Sequence, residues 1–299
     1  MKPRDILLAV LASVIWGLSF LATRWGVESF TAAQLTALRF FIACIPVLFL
    51  PRPRISWPLL IATGATLFLG QFFLVFLAFR YGMPAGLASA TQQVHVFFTV
   101  LMAAIFMHEI PTRRQTAGIV VAFSGLVLIA FSAGVDLPLI ALGLALSAAF
   151  SWGIGNILLK HASKNSKKPI PMVPLMAWLS LVPPLPALAL SYFFDADASL
   201  LDAVTKASWI SLASVIYLGT VSTVLAYAIW GHLLTRYPAT VVTPFSLLVP
   251  CTGILASAIV FGEVFPPIRY GGMALILVGL AIVVLPGSKA TPKLTVPPA

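Results

Sequence analysis

The sequence predicts an all-α membrane protein in which ten transmembrane helices form two five-helix repeats of inverted topology. Three observations lead to this fold class. Of the 299 residues, 60% are hydrophobic and 9% are charged, which is far from the composition of a soluble domain of this length. Residues 84–130 can be laid over residues 238–284 at a constant offset of 154 residues without a gap. Ten apolar runs are long enough to cross a bilayer, five in each copy.

The duplication is visible in identical residues at matching positions. The matched pairs are Pro84 with Pro238, Ala85 with Ala239, Glu109 with Glu263, Gly118 with Gly272 and Gly125 with Gly279. Earlier in each copy, Trp16-Gly17 matches Trp152-Gly153 at an offset of 136, which small insertions explain. We therefore divide the chain into a first repeat (residues 1–134), a second repeat (135–287) and a disordered cytoplasmic tail (288–299).

Each span is an apolar run of about 20 residues, the length that crosses roughly 30 Å of hydrocarbon. Lys2 and Arg4 resemble the start of a cleaved signal peptide, but the counterpart of Trp16-Gly17 in the second copy makes the first run a helix of the repeat. Prolines with polar residues end the second, third and fourth spans at 51–54, 82–84 and 111–114. The connections 161–170 and 195–207 flank the seventh span, and Pro266-Pro267 precedes the tenth. The predicted spans are 6–25, 31–50, 57–79, 84–107, 115–132, 138–160, 171–194, 208–232, 238–262 and 269–286.

The distribution of basic residues predicts that both termini are cytoplasmic, because Lys and Arg concentrate on that side of a membrane. With ten spans and an inside N-terminus, 13 of the 18 Lys and Arg fall in the cytoplasm: Lys2, Arg4, Arg52, Arg54, Arg113, Arg114, Lys160, Lys164, Lys167, Lys168, Arg236, Lys289 and Lys293. Five spans per copy is an odd number, so the copies enter the membrane from opposite sides. The net charge of +10 is then an orientation signal rather than a sign of nucleic-acid binding.

Polar residues inside the fourth and ninth spans predict a central chamber, because each costs free energy unless it meets a partner or water. Gln92, His95 and Thr99 recur at i, i+3 and i+7, on one helical face. Ser246 is the repeat mate of Gln92. Its helix is interrupted by Pro244 and Pro250, so freed carbonyl groups can line the same chamber.

Other spans add further candidates for the lining of this chamber. They are Trp16 in the first span, Gln71 in the third, Trp152 and Asn156 in the sixth, and Thr220, Thr223 and Tyr227 in the eighth, where Trp230 continues the same face. A purely structural role stays open for each, since Ser and Thr often bond to their own helix and glutamines tie neighbouring helices together.

Arg39 is the only charged residue well inside a span. A permanent cation there needs carbonyl groups, a carboxylate or water. It can receive an anionic group such as a substrate carboxylate, or it can be a structural residue that extends toward the outer surface or pairs with Glu28.

The placement of acidic residues indicates how transport is driven. All eight Asp and Glu lie at span ends or in loops, whereas proton-driven pumps commonly carry an acid inside the membrane. We therefore expect flow of substrate down its own gradient. His95 is the only centrally placed group that changes charge near neutral pH, so proton coupling through His95 is the alternative.

Enzymatic and metal-binding motifs are not found in the sequence. The segment His108-Glu109 starts like a zinc-protease motif but lacks the second His, since position 112 is Thr112. Cys44 and Cys251 lie in apolar spans and are expected to be free thiols. We expect no enzyme activity, no cofactor and no metal site.

Several short motifs together resemble the drug/metabolite transporter superfamily, and the EamA-type exporters within it. They are the segment 16–20 (Trp-Gly-Leu-Ser-Phe), Leu38-Arg39-Phe40, Arg80-Tyr81 before Pro84-Ala85, and Glu109 closing the fourth span, with Tyr227-Ala228 and Gly262-Glu263 in the second half. The stretch 92–95 (Gln-Gln-Val-His) and the aromatic content are similar to the YddG-like amino-acid exporters.

We expect the protein to lie in a bacterial inner membrane and to function as a monomer, and the resemblance implies export from the cytoplasm. It would export amino acids and related small metabolites by alternating access. A proton-coupled exporter of drugs or cationic toxins and a channel-like pore are the alternatives.

Overall fold

The structure is a computed structural model that describes residues 1–83, 88, 91–131, 138–166, 168–195 and 199–285. Within these ranges every regular element is a helix. The apolar helices are α1 (Pro3–Gly26), α2 (Ala32–Leu48), α3 (Trp57–Arg80), α4 (His95–Met107), α5 (Arg113–Phe131), α6 (Leu139–Lys164), α7 (Met172–Phe194), α8 (Trp209–Arg236), α9 (Ala239–Phe261) and α10 (Pro267–Val284). Eight of them, all except α2 and α4, are long and apolar enough to cross a membrane.

These helices overlap the ten predicted spans, with two differences. Most of residues 84–90, the start of the predicted fourth span, lie outside the described residues, and so does the predicted tail 288–299. The predicted connection 195–207 contains a short helix, Leu200–Lys206. Its signal is in the sequence, because the Ser199 side chain accepts a hydrogen bond from the backbone N–H of Asp202 and so caps the helix.

Large apolar side chains cover much of the outer surface of the bundle. Leu7, Phe49, Phe131, Leu139 and Ile259 are each at least 70% exposed. A surface of this kind suits contact with lipid rather than with water.

Two helices at equivalent positions of the copies contain the same irregularity. Residues Ala65–Gly70 of α3 and Leu218–Leu225 of α8 are π helices. Both segments lie between a Ser-Trp pair (Ser56-Trp57 and Ser208-Trp209) and an Arg-Tyr pair (Arg80-Tyr81 and Arg236-Tyr237), so they occupy matching regions of the two copies. A π helix closes its hydrogen bonds over five residues instead of four and frequently occurs at functional sites. Gln71 follows the first segment directly, and Tyr227 lies just beyond the second.

Proline interrupts α7 and α9. In α9 a 3-10 segment, Thr243–Leu247, separates Ala239–Val242 from Leu248–Phe261. Pro244 lies in that segment, so the break follows from the missing N–H and the fixed φ of proline. In α7 the helix stops at Leu179 and resumes at Pro184.

Helices α5 and α10 pack together through four glycines. A Cβ atom added at Gly118 would lie 2.7 Å from the carbonyl oxygen of Gly279, and one added at Gly272 would lie 2.6 Å from that of Gly125. These contacts run antiparallel and are reciprocal, since Gly118 is the repeat mate of Gly272 and Gly125 is the mate of Gly279. The absence of side chains lets the two backbones touch.

Among the described residues, three ion pairs join helix ends that are distant in sequence. Arg24 at the end of α1 pairs with Glu263 beyond α9. Lys160 in the last turns of α6 pairs with Glu109 beyond α4, at 2.5 Å. Arg80 and Asp195 approach to 3.8 Å. Each pair joins two residues that the predicted topology places on the same side of the membrane.

Candidate functional site

Five ring side chains from both copies form a buried group, the central aromatic cluster: Trp16 of α1, His95 of α4, Trp152 of α6, and Tyr227 and Trp230 of α8. Trp16 makes edge contacts at centroid distances of 4.9 Å to Tyr227, 5.2 Å to Trp230 and 5.7 Å to Trp152. His95 lies on Trp152 at 3.7 Å. None of the five is more than 8% exposed. The structure thus brings together residues that lie far apart in the sequence.

A hydrogen-bonded chain closes one side of this cluster. The indole N–H of Trp230 donates to Oδ1 of Asn156, 3.2 Å away. The amide nitrogen of Asn156 donates in turn to the hydroxyl of Thr99, also at 3.2 Å. Thr99 and Asn156 are both buried, so in this structure their polar groups tie α4, α6 and α8 together.

His95 is held by a partner on α9. Its Nε2 atom lies 2.9 Å from the hydroxyl oxygen of Ser246. That hydroxyl donates its single hydrogen to the carbonyl oxygen of Thr243, at 2.9 Å. With that hydrogen on Thr243, Ser246 accepts from His95 when Nε2 carries the ring hydrogen, and in this tautomer Nδ1 of the neutral ring is an acceptor.

Two glutamines and a tyrosine form a looser chain. Tyr227 donates to Oε1 of Gln71, and Nε2 of Gln71 donates to Oε1 of Gln92, each at 3.4 Å. Bonds this long are weaker than those of usual geometry. These side chains are therefore able to exchange partners at little cost.

Three polar atoms in the cluster or beside it are buried and have no hydrogen-bond partner among the described residues. They are Nε2 of Gln92, Nδ1 of His95 and Nε1 of Trp152. Leaving a buried polar atom unpaired costs about 1–3 kcal/mol. A ligand bound at the cluster would meet two unpaired donors, at Gln92 and Trp152, and the acceptor of His95.

Arg39 lies beside the cluster with neutral partners. Its Nε donates to Oγ1 of Thr223 at 2.6 Å and its Nη2 to Oγ of Ser222 at 3.2 Å. It is 8% exposed and forms no ion pair among the described residues. The structural alternatives predicted from the sequence, extension to the outer surface or pairing with Glu28, are therefore not what the structure has.

Thr220 is the one predicted residue that the structure leaves outside. Its side chain is exposed, and its hydroxyl donates to the carbonyl oxygen of Ile216 in its own helix. The reason is the π helix, in which steps of three or four residues no longer stay on one face. Thr223 of the same segment contacts Arg39 rather than the rings.

Sequence reasoning missed two contributors. The carbonyl oxygen of Ser222 accepts from the indole N–H of Trp16 at 3.1 Å, and the ring of Phe68 lies 4.9 Å from that of Tyr227. Both belong to the π helices. A backbone carbonyl group and a phenylalanine in an apolar span carry no signal in the sequence that would have marked them.

The site also differs from the predicted water-filled chamber. The predicted lining residues are packed against one another, and Gln71, Thr99, Asn156 and Ser246 are no more than 7% exposed. Sequence patterns indicate which helix faces point inward, whereas the distance between those faces depends on how the side chains pack.

The described residues contain no group of three or more His, Cys, Asp or Glu able to hold a metal ion. Cys44 and Cys251 are free thiols. The chemistry of the site therefore rests on aromatic rings, amides, hydroxyls, one imidazole and one guanidinium.

Comparison with known proteins places this arrangement in a family. The pattern of the EamA-like transporter family matches residues 4–131 and again residues 139–285. A crystal structure of another protein, 18% identical, superimposes with a TM-score of 0.80 over 95% of this chain and 99% of the other, which shows the same fold.

Full-length relatives are similar in sequence. A probable amino-acid metabolite efflux pump of Salmonella typhimurium is 38% identical, with 94% of this chain and 95% of the relative covered. The corresponding protein of Escherichia coli is 37% identical with the same coverage. A probable terminal-alkyne amino-acid exporter of Streptantibioticus cattleyicolor is 27% identical over 92% of this chain and 91% of its own. The chain is a multi-pass membrane protein that belongs to the EamA-like transporter family.

Proposed function

We propose that this protein exports amino acids and related small metabolites from the bacterial cytoplasm across the inner membrane by alternating access. The observation that carries the proposal is the central aromatic cluster, which both copies build and which holds unpaired donors and an acceptor. Aromatic walls with a few polar atoms suit a small solute that has an apolar side chain and a polar end. The names of the Salmonella and Escherichia relatives support amino acids as the substrate class.

The inverted repeat is supported by reciprocal contacts. A two-fold axis between the copies makes their contacts reciprocal. Whenever a residue of one copy contacts a residue of the other, the repeat mates of these two residues must contact each other as well. The glycine pairs Gly118 with Gly279 and Gly125 with Gly272 fulfil this condition along antiparallel helices. Ten spans in two inverted fives remain the topology that we propose, with both termini cytoplasmic.

Alternating access is supported by a second reciprocal pair. The offset of 136 relates Arg24 to Lys160, and the offset of 154 relates Glu109 to Glu263. The two ion pairs that these residues form are therefore equivalent and lie at opposite ends of the bundle in the proposed topology. Opening one while the other stays closed would expose the central cluster to one side at a time.

The charges near the cluster favour a facilitative exporter of zwitterions. The described carboxylates lie at helix ends or in connections, and the buried Asp5, in the first turn of α1, accepts from the Tyr237 hydroxyl. Of the residues that the structure describes, the charged group beside the rings is the Arg39 guanidinium, which repels an organic cation. A site for cationic toxins would need a carboxylate in its place.

Counterflow in proteoliposomes tests this function. Labelled phenylalanine should enter vesicles preloaded with unlabelled phenylalanine, and the flux should saturate and be blocked by unlabelled amino acid. Comparison of counterflow for phenylalanine, methionine, threonine and lysine would rank the preference of the transporter among substrate side chains. Flux that is linear and not inhibited would instead indicate a pore, and absence of amino-acid counterflow would refute the proposal.

A further inference from the structure

The guanidinium of Arg39 on α2 is buried and has no neutralising partner in the part of the chain that the structure describes. Among the described residues no carboxylate lies within ion-pair distance of it. A buried charge without a counter-charge is unfavourable, and in a membrane protein it usually marks a functional site. A role for this charge in recognising one part of the substrate rests on the proposed function.

Neutral groups hold Arg39 without cancelling its charge. Thr223 and Ser222 accept from Nε and Nη2, and the Phe72 ring lies 4.6 Å from the central guanidinium carbon. Two of five N–H donors are thereby used, which leaves hydrogens of the planar group for a ligand. Both hydroxyl partners belong to the π helix of α8, so a local distortion of that helix positions the cation.

One residue connects this cation to the central aromatic cluster. Ser222 accepts from Arg39 through its hydroxyl and from the Trp16 indole through its carbonyl oxygen, at 3.2 and 3.1 Å. A second route runs through rings. The central guanidinium carbon of Arg39 lies 5.8 Å from the Phe40 ring, Phe40 lies 5.1 Å from Phe68, and Phe68 lies 4.9 Å from Tyr227. Arg39 is thus at the edge of the site, one residue away from its rings.

We infer that Arg39 binds the carboxylate of the transported solute, so that the site selects carboxylate-bearing substrates over the corresponding amines and amides. The planar guanidinium matches a carboxylate through two parallel hydrogen bonds. A solute without a carboxylate leaves the buried cation unpaired and is rejected for that reason. The apolar side chain of the substrate would lie against the rings.

The test uses three probes that share one ring. Phenylalanine carries an ammonium and a carboxylate, phenylalaninamide lacks the carboxylate, and 3-phenylpropionate lacks the ammonium. In wild-type proteoliposomes, phenylalaninamide should inhibit phenylalanine counterflow at least about tenfold more weakly than phenylalanine does. Arg39→Gln should raise the half-inhibitory concentration of phenylalanine at least about tenfold and leave that of the amide unchanged or lower. Arg39→Lys keeps the charge but loses the planar group that makes two parallel hydrogen bonds, so its half-inhibitory concentration of phenylalanine should be intermediate.

The control is Arg80→Gln, which removes an arginine whose side chain is 46% exposed and whose ion pair is with Asp195. It should keep the wild-type preference for phenylalanine over the amide. Equal loss of phenylalanine and amide recognition in Arg39→Gln would overturn the inference, because a structural arginine affects both probes alike. If Arg39→Gln does not fold, the same ratio is measured with Arg39→Lys.

A binding measurement distinguishes failure of this inference from failure of the proposed function. Thermal unfolding in detergent is measured with 3-phenylpropionate for the wild type and the Arg39 variants. Stabilisation of the wild type that the Arg39 variants lose supports the carboxylate site even if no amino-acid counterflow is seen. The inference is wrong if 3-phenylpropionate stabilises the wild type no more than it stabilises the variants.

Discussion

The ammonium group of Lys160 lies 2.5 Å from a carboxylate oxygen of Glu109. Glu109 also accepts, at 2.8 Å through its second oxygen, from the backbone N–H of Ala239 at the start of α9. One carboxylate therefore joins the ends of α4, α6 and α9. The equivalent pair of the other copy, Arg24 with Glu263, joins α1 to the end of α9.

These two equivalent ion pairs should differ in strength because they differ in burial. The side chains of Lys160 and Glu109 are 11% and 21% exposed, whereas those of Arg24 and Glu263 are 52% and 36% exposed. An exposed pair contributes about 0–1 kcal/mol, and removal of one partner of a buried pair costs about 3–5 kcal/mol. Glu109→Gln should therefore lower the melting temperature in detergent clearly more than Glu263→Gln does. Equal shifts for the two variants would contradict this difference.

Two adjacent glycines of α10 should respond differently to the same substitution. A Cβ at Gly272 would lie 2.6 Å from the carbonyl oxygen of Gly125, whereas one at Gly271 meets nothing within 4 Å. Gly272→Ala should destabilise by about 1–3 kcal/mol, as overpacking does. Gly271→Ala should be neutral or stabilise by up to about 1 kcal/mol, because alanine is the better helix former. Thermal unfolding of both variants measures the contrast, and loss of stability in Gly271→Ala alone would disprove the packing argument.

The all-helical character, the membrane class and the positions of most helices could be predicted from the sequence, because bilayer thickness, apolar run length and proline position largely determine them. The π helices could not be predicted. Leu218–Leu225 has the same apolar composition as an ordinary span, and its extra residue per turn shows only in the backbone. That single irregularity turns Thr220 outward and brings Ser222 and Thr223 to Arg39.

The candidate site was predictable by residue type but not by partner. A tryptophan or histidine in the middle of an apolar span indicates a special environment, and Trp16, His95 and Trp152 do meet. Which polar atoms stay unpaired depends on the distance and angle of each hydrogen bond, and the sequence does not give these. Trp230 finds Asn156, whereas Trp152 finds no partner for its N–H among the described residues.

Transport should not depend on a pH gradient. His95 is the only imidazole in the central aromatic cluster, and its Nε2 is bound to Ser246 rather than to a carboxylate. Dissipating the pH gradient across wild-type proteoliposomes should leave the rate of phenylalanine counterflow unchanged within error. As a control, proteoliposomes are prepared with a pH gradient of either sign, and accumulation of phenylalanine against its own gradient is measured. Uphill accumulation that is driven by the gradient and lost in His95→Gln would establish proton coupling instead.

Two tryptophans of the cluster offer a sharp test of the unpaired donors. The indole N–H of Trp152 is buried without a partner among the described residues, whereas that of Trp230 donates to Asn156. Phenylalanine keeps a ring but removes the N–H. Trp152→Phe should therefore weaken phenylalanine binding several-fold and leave the melting temperature unchanged or higher, because removing an unsatisfied buried donor relieves a cost of about 1–3 kcal/mol. Trp230→Phe should lower the melting temperature, since it leaves Oδ1 of Asn156 unpaired. Binding is read from the ligand-dependent shift of thermal unfolding and stability from unfolding without ligand. If Trp152→Phe destabilises the protein as much as Trp230→Phe and leaves binding intact, the N–H of Trp152 has no role in recognising the substrate.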